Sequence, residues 1–202
     1  MDISVITPVH NSSDYIGDTI NSVINQTYQN WEMILVDDFS SDNSVEIIQA
    51  YQEKSNKIKL IESDTNVGAA EARNIALREA KGDYIAFLDS DDMWLPNKLE
   101  RQTQFMKSNN YAFSFTAYQR VNQNNTKTIN RIGVPKSIGY NGFLRNTIIG
   151  TLTVMIDKRQ TGYFEMPNIR SSHDMALWCE ILKRGFNIIV FAHTIEYNHI
   201  FL

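Results

Sequence analysis

Cysteine is nearly missing from this chain. Cys179 is the single one in 202 residues, so no internal disulfide can form, which fits a reducing compartment. No apolar run approaches the roughly 20 residues that a membrane-spanning helix needs. Met1 leads almost at once into an apolar stretch, Asp2 to Thr7, which leaves no room for a signal peptide and points to the cytoplasm. A glycine-rich loop is missing too. Thr7-Pro8-Val9-His10-Asn11 follows the first apolar stretch, where a dinucleotide dehydrogenase needs G-x-G-x-x-G and a nucleotidylyltransferase a Gly- and Arg-rich triphosphate loop. Repeats, linkers and low-complexity segments are also absent, so residues 1–202 read as one domain.

Acids are missing from one long stretch. Residues 101–156 hold seven bases (Arg101, Lys107, Arg120, Lys127, Arg131, Lys136 and Arg145) and no acid. Residues 1–100 carry 18 acids against 7 bases. The acidic part needs a cation before it can hold an anionic ligand, whereas the basic part can meet an anionic partner directly. A solvated basic face is the simpler alternative.

One stretch organises what is present. Lys81-Gly82-Asp83 leads into the apolar run Tyr84 to Leu88, which stops in Asp89-Ser90-Asp91-Asp92. The run is short, aromatic and β-branched, so it predicts a buried strand. Three acids at its end repel one another unless a cation compensates them. Hard oxygen ligands suit Mg²⁺ or Mn²⁺, shared with substrate phosphates. An acidic turn before a helix opened by Pro96 is the competing reading.

Three strands with helices between them precede that run. Asp2 to Thr7 predicts a strand stopped by Pro8. Ser12 or Ser13 caps a helix that reaches about Gln26. Trp31 to Val36 is a strand ending in Asp37-Asp38, and Ser41 or Asp42 opens the next helix. Lys57 to Ile61 is a third strand, and Asn66-Val67-Gly68 turns into a helix from Ala69 to Ala80. Alternation of this kind predicts an α/β fold, a Rossmann-like and mostly parallel central sheet with helices on both faces. Ligands of such sheets bind at the carboxyl ends of the strands. Pro8 to Asn11, Asp37-Asp38 and Asp89 to Asp92 all converge there.

The second half is less regular. Tyr111 to Val121 and Thr126 to Ile132 predict strands around the polar turn Asn122 to Asn125, with loop from Gly133 to Gly142. Thr151 to Ile156 predicts another strand. Ser171 or Ser172 caps a helix from His173 to about Arg184, stopped by Gly185. Ile188 to Ala192 and Thr194 to Tyr197 complete the set.

Four segments in order carry a resemblance: Val5 to Asn11, Val36-Asp37-Asp38-Phe39-Ser40-Ser41-Asp42, Gly68-Ala69-Ala70-Glu71-Ala72-Arg73-Asn74, and Asp89-Ser90-Asp91-Asp92. Together they resemble the inverting nucleotide-sugar glycosyltransferases of the GT-A fold, the large family whose bacterial members build surface polysaccharides. The likeness continues at Gly150-Thr151 to Asp157 and at His173-Asp174-Met175-Ala176-Leu177-Trp178. His173-Asp174 stands where the family often has Glu-Asp.

The resemblance implies roles. Pro8, His10 and Asn11 belong to the nucleotide pocket. Asp38 accepts a hydrogen bond from the base, typically uracil, and Arg73 contacts base or diphosphate. Asp89 is a ribose or metal-shell ligand, Asp91 the direct ligand of Mn²⁺ or Mg²⁺ in a DXD motif, and Asp174 the general base. The implied reaction moves a sugar from a nucleotide-sugar, typically a UDP-sugar, to a hydroxyl of a glycan or lipid-linked acceptor. Residues 1–100 would form the donor half and 101–202 the acceptor half. Nucleic acid is not an expected partner, whereas peripheral contact with the inner membrane face is. Family members are commonly longer, which implies a continuation past Leu202.

Each role has a plainer counterpart. Asp37 and Asp38 suit a turn and cap. Arg73 suits a helix surface, paired with Glu71. Asp174 favours the dipole at any helix start. His10, His193 and His199 are more often structural than ligands, though a histidine after the last strand closes over the metal in related folds, which singles out His199. An inactive sugar-nucleotide or glycan-binding module is the competing function, weakened by the joint presence of Asp91 and Asp174.

Overall fold

The computed structural model describes residues 1–121, 128–132, 137–138, 140–145, 149–169, 171–191 and 198–200. The first half alternates as β1 (Ile3–Val9), α1 (Ile16–Ile24), β2 (Trp31–Asp37), α2 (Ser44–Gln52), β3 (Ile58–Glu62), α3 (Ala69–Glu79) and β4 (Tyr84–Phe87). These four strands lie parallel in the order β3-β2-β1-β4. Chain order reverses between β1 and β4, because β1 leads outward to β2 and β3 before α3 carries the chain back across. A crevice opens at such a reversal, beyond the carboxyl ends of the two strands.

All seven β1 positions are buried. Ile3, Val5 and Val9 pack with Ile16, Ile20 and Val23 of α1 and Ile48 of α2. Ile6 points the other way, into a cluster with Ala72, Ala76 and Leu77 of α3. Period-2 alternation puts successive side chains on opposite faces, so a sheet covered on both sides needs the near-continuous apolar runs seen here. Gly82 is required where β4 enters. A Cβ there would lie 2.6 Å from the Ser4 backbone nitrogen.

Pro8 does not stop β1; it sits inside the strand opposite Val36. Leu88 donates to the Ile6 carbonyl at 3.0 Å, so Ile6 and, two residues on, Pro8 turn their backbone polar groups toward β4. β4 ends at Phe87, so the proline removes no ladder hydrogen bond.

The remaining elements are β5 (Asp92–Met93), α4 (Lys98–Asn109), β6 (Phe113–Thr116), β7 (Tyr118–Val121), β8 (Thr128–Ile132), β9 (Ser137–Ile138), α5 (Tyr140–Arg145), β10 (Met155–Asp157), α6 (Lys158–Thr161), α7 (His173–Lys183), β11 (Ile188–Phe191) and β12 (Asn198–Ile200). β10 runs antiparallel between β4 and β6, and β11 and β9 extend the sheet to eight strands among the described residues. β5, β12, β7 and β8 form a second, smaller sheet.

Several expectations change here. Thr151–Thr153 is a 3-10 turn and only Met155–Asp157 is strand. Ser137–Ile138 and Tyr140–Arg145 are strand and helix rather than loop. The expected turn at 122–125 and strand at 194–197, and with them His193, lie outside the described residues.

α7 packs on the α3 side of the sheet. The Trp178 ring meets Phe87 of β4 and Phe113 of β6 edge-on, with centroids 5.6 and 5.1 Å away. Gly185 follows the helix at φ 93°, a conformation that glycine reaches without strain.

Candidate active site

A cleft of about 440 Å³ opens at the reversal point, lined by Pro8, Val9, His10, Asp38, Asn66, Gly68, Ala69, Arg73, Asp89, Ser90 and Asp91. It gathers six of the eight residues expected to act. Asn11 stands at its edge, and Asp174 lies beyond, at the start of α7.

Short polar side chains fix the rim. Asn11, at φ 49°, accepts from the Ser41 backbone N–H at 2.8 Å through Oδ1, and its own N–H donates to Ser40 Oγ at 2.9 Å. This stitches the end of β1 to the loop after β2. Neither Ser12 nor Ser13 caps α1 with its side chain. The Ser12 hydroxyl instead meets Ser90 Oγ at 2.7 Å, and Thr19 of α1 donates to the Ser90 carbonyl at 2.9 Å. Ser90 thereby holds the loop that carries Asp89 and Asp91. Asp42 accepts from the Ser13 N–H and from the Ser44 N–H and hydroxyl. Burial pushes its carboxyl up, but these bonds outweigh it and hold it at about 2.

His10 Nδ1 lies 2.8 Å from the Asp38 carbonyl, which can only accept, so the ring proton sits on Nδ1. Both carboxylate oxygens of the buried Asp38 accept backbone N–H groups, from Val67 at 2.5 Å and Gly68 at 2.9 Å. Asp38 therefore braces the loop that starts α3, besides facing the cleft.

Arg73 is not a surface residue of α3. It is 5% exposed and ion-paired with Asp89. Its other arm, NH1, lies 2.7 Å from His173 Nε2. Glu71 pairs with Arg78 instead. Next to Arg73, the buried Asn74 receives the Met166 N–H at 2.7 Å and donates to the Met166 carbonyl at 3.0 Å. This clamps the segment leading to α7.

The three clustered acids have three different settings. Asp89 is neutralised by Arg73. Asp91 lines the cleft. Asp92 is fully buried, and burial first, then the charges of Asp89 and Asp91, push its carboxyl well above the ordinary range. Among the described residues no three His, Cys, Asp or Glu side chains gather as a ready-made metal cage. The donor set still fits Mg²⁺ or Mn²⁺ of the kind held by one or two carboxylates and completed by substrate phosphate oxygens. The backbone of His199, inside β12 rather than after it, pairs opposite Asp92.

Asp174 stands in the first turn of α7. Thr151 Oγ1 donates to its Oδ2 at 2.9 Å, which fixes the carboxylate. Of the expected basic patch, Lys107 binds Asp2 at the opposite end of the sheet from the cleft, at 3.2 Å. Arg101 sits over the Phe191 ring, and Lys127 and Lys136 lie outside the described residues. Asn66, Asn74, Thr151 and the role of His173 were not anticipated. Their signal in the sequence is only their place inside or beside the motif segments.

The family model for glycosyl transferase family 2 matches residues 4–167. The chain belongs to that family. It is a glycosyltransferase. It is 50% identical to the putative teichuronic acid biosynthesis glycosyltransferase TuaG of Bacillus subtilis, over 91% of this chain and 73% of that one. It is 41% identical to WfgD of Escherichia coli, a UDP-Glc:α-D-GlcNAc-diphosphoundecaprenol β-1,3-glucosyltransferase, over 90% of this chain and 70% of that one. S. aureus TarS 1-349, solved in complex with UDP-GlcNAc, superposes with a TM-score of 0.82 at 23% identity. That match covers 100% of this chain and 59% of the TarS chain, and it establishes the GT-A fold. No helix among the described residues is long and apolar enough to cross a membrane.

Proposed function

We propose that this glycosyltransferase transfers a sugar, with inversion, from a UDP-sugar to a hydroxyl of a glycan or lipid-linked acceptor during cell-surface polysaccharide synthesis. The carrying observation is the cleft at the β1–β4 reversal, where Pro8, His10, Asp38, Arg73, Asp89 and Asp91 meet. The names of TuaG and WfgD support the pathway class, and TarS with UDP-GlcNAc supports the donor class.

His10 and Asp38 receive the base, and Arg73 faces the diphosphate. Asp89 and Asp91 would hold a divalent cation, which neutralises the charge of a departing diphosphate. Asp174 takes the proton of the acceptor hydroxyl as its oxygen attacks the anomeric carbon. The bond to the diphosphate breaks on the opposite face, so configuration inverts in one displacement without a covalent nucleophile. Thr151 orients the Asp174 carboxylate for this task. Residues 1–100 act as the donor half and 101–202 as the acceptor half. The protein works in the cytoplasm, in peripheral contact with the inner membrane face.

Calorimetric titration with UDP tests the donor site. Affinity should be far higher in Mn²⁺ than in EDTA; equal affinity removes the metal from the reading. Asp174→Asn should lose transfer by roughly 10²–10⁴-fold, the usual worth of a general base, with UDP affinity nearly unchanged.

A further inference from the structure

The mechanism above leaves His173 without a task. It opens α7, one residue before Asp174. Its Nε2 lies 2.7 Å from Arg73 NH1. A guanidinium only donates, so Nε2 must accept, and the ring is neutral with its proton on Nδ1. The second arm of Arg73 is held by Asp89. A continuous path, Asp89 to Arg73 to His173, therefore runs from the end of β4 to the start of the helix that carries the base.

Among the described residues the first turn of α7 has few other directional anchors. The residue before it, Ser172, sits at φ 60° and gives no side-chain cap. Trp178 holds the helix to the sheet through ring contacts more than a turn further on. That packing grips the helix away from its first turn. Among the described residues the directional contacts there are Thr151 with Asp174 and Arg73 with His173.

We propose that His173 is a positioning residue. As a neutral acceptor it locks the first turn of α7 to Arg73, and so sets Asp174 in register with the groups that bind the diphosphate. An uncharged acceptor suits the place. Arg73 stays matched one-to-one with Asp89, and no further negative charge enters a cleft that receives a diphosphate. The inference rests on Asp174 being the base, and the test separates the two.

Transfer kinetics and UDP calorimetry are compared for wild type, His173→Leu, His173→Gln, Asp174→Asn and the double variant that combines His173→Leu with Asp174→Asn. Leucine fills the space but cannot accept; the glutamine oxygen reaches where Nε2 was. His173→Leu should lose kcat by roughly 10–100-fold, the scale of a misplacement near 1 Å, with donor KM and UDP affinity within about threefold. His173→Gln should recover most of the rate. In the Asp174→Asn background the leucine should cost little more, because both changes remove one function. Wild-type kcat in His173→Leu, a glutamine variant as slow as the leucine one, or fully additive losses would each overturn the proposal. Full activity of Asp174→Asn would sink the base assignment alone, and the Leu/Gln contrast would still decide whether His173 acts through Arg73. Should His173→Leu not fold, His173→Asn, too short to reach Arg73, takes its place and must show the same loss.

Discussion

Asp38→Asn is the most discriminating single change, because it sets the proposed base contact of one carboxylate against its bracing of a loop. In the structure its two oxygens accept the Val67 and Gly68 N–H groups at 2.5 and 2.9 Å. Hydrogen bonds to a charged group are worth about 1.5–3 kcal/mol each. Asparagine keeps one acceptor and turns an NH₂ toward the other N–H, so one bond is lost outright and the survivor loses its charge. The site is 3% exposed, which prevents water from replacing the lost bond. The expected loss is about 2–4 kcal/mol of loop stability. Gly68 sits at φ 85° as the residue before α3, so the helix start should loosen with it. Two readouts are needed, since a loop can open without global unfolding. Urea denaturation reports the midpoint at constant slope, and native-state hydrogen exchange reports the Val67 and Gly68 amides. UDP affinity, measured in parallel, should also fall. Unchanged protection of both amides, with a stability change under about 0.5 kcal/mol, would refute the bracing role and leave Asp38 with the proposed base contact alone.

Three further outcomes follow from the same geometry. Thr151→Val removes the hydroxyl that orients Asp174 and should lower kcat by roughly tenfold, the value of one net hydrogen bond of about 1.4 kcal/mol, with UDP affinity unchanged; an unaltered kcat would show that Asp174 needs no such anchor. Asn74→Ala strips both partners from the Met166 backbone and should cost about 2–4 kcal/mol in urea denaturation, since two buried backbone groups lose their bonds. His173 is held below its ordinary pKa by burial first and then by the Arg73 charge, against the opposing pull of Asp174 and Asp89. A lowered histidine pKa stabilises the fold above the unfolded value near 6.5 and loses that contribution as pH falls through the folded value. Wild-type stability should therefore drop more steeply than that of His173→Gln between about pH 7 and 5; parallel curves would contradict the neutral-acceptor assignment.

The first hundred residues were legible because their signals are local. Period-2 and period-3.6 patterns separate the strands from the helices, and β1, β2 and β4 each lead into polar residues at or just past their carboxyl ends. Pro8 misled because a proline ends a strand only where its N–H is needed, and that depends on where the neighbouring strand stops. The plainer reading of Arg73, on the helix surface, fails for a related reason. The buried face of α3 is built largely of alanines, Ala70, Ala72 and Ala76. Such a shallow stripe leaves room for Arg73 and Asn74 to turn inward beside it, and no spacing rule reveals that. In the second half the elements are short, from two to five residues in β7 to β10. Elements of that length are chosen by tertiary pairing rather than by propensity.

The acidic run Asp89 to Asp92 shows how far charge counting alone can carry. Read as a sequence, three carboxylates act together and demand one cation. In the fold each has its own answer to the repulsion. Asp89 gives its charge to Arg73, which His173 also holds. Asp92 is buried, where desolvation favours the protonated form. Asp91 lines the cleft beside Asp89. If Mg²⁺ or Mn²⁺ binds as proposed, Asp89 and Asp91 alone do not fill its shell, and phosphate oxygens of the substrate and water would complete it. On that proposal cation and diphosphate would complete one another's binding. By linkage each would then raise the affinity of the other by the same factor. Such a site would take up its cation chiefly when a nucleotide is present to share it.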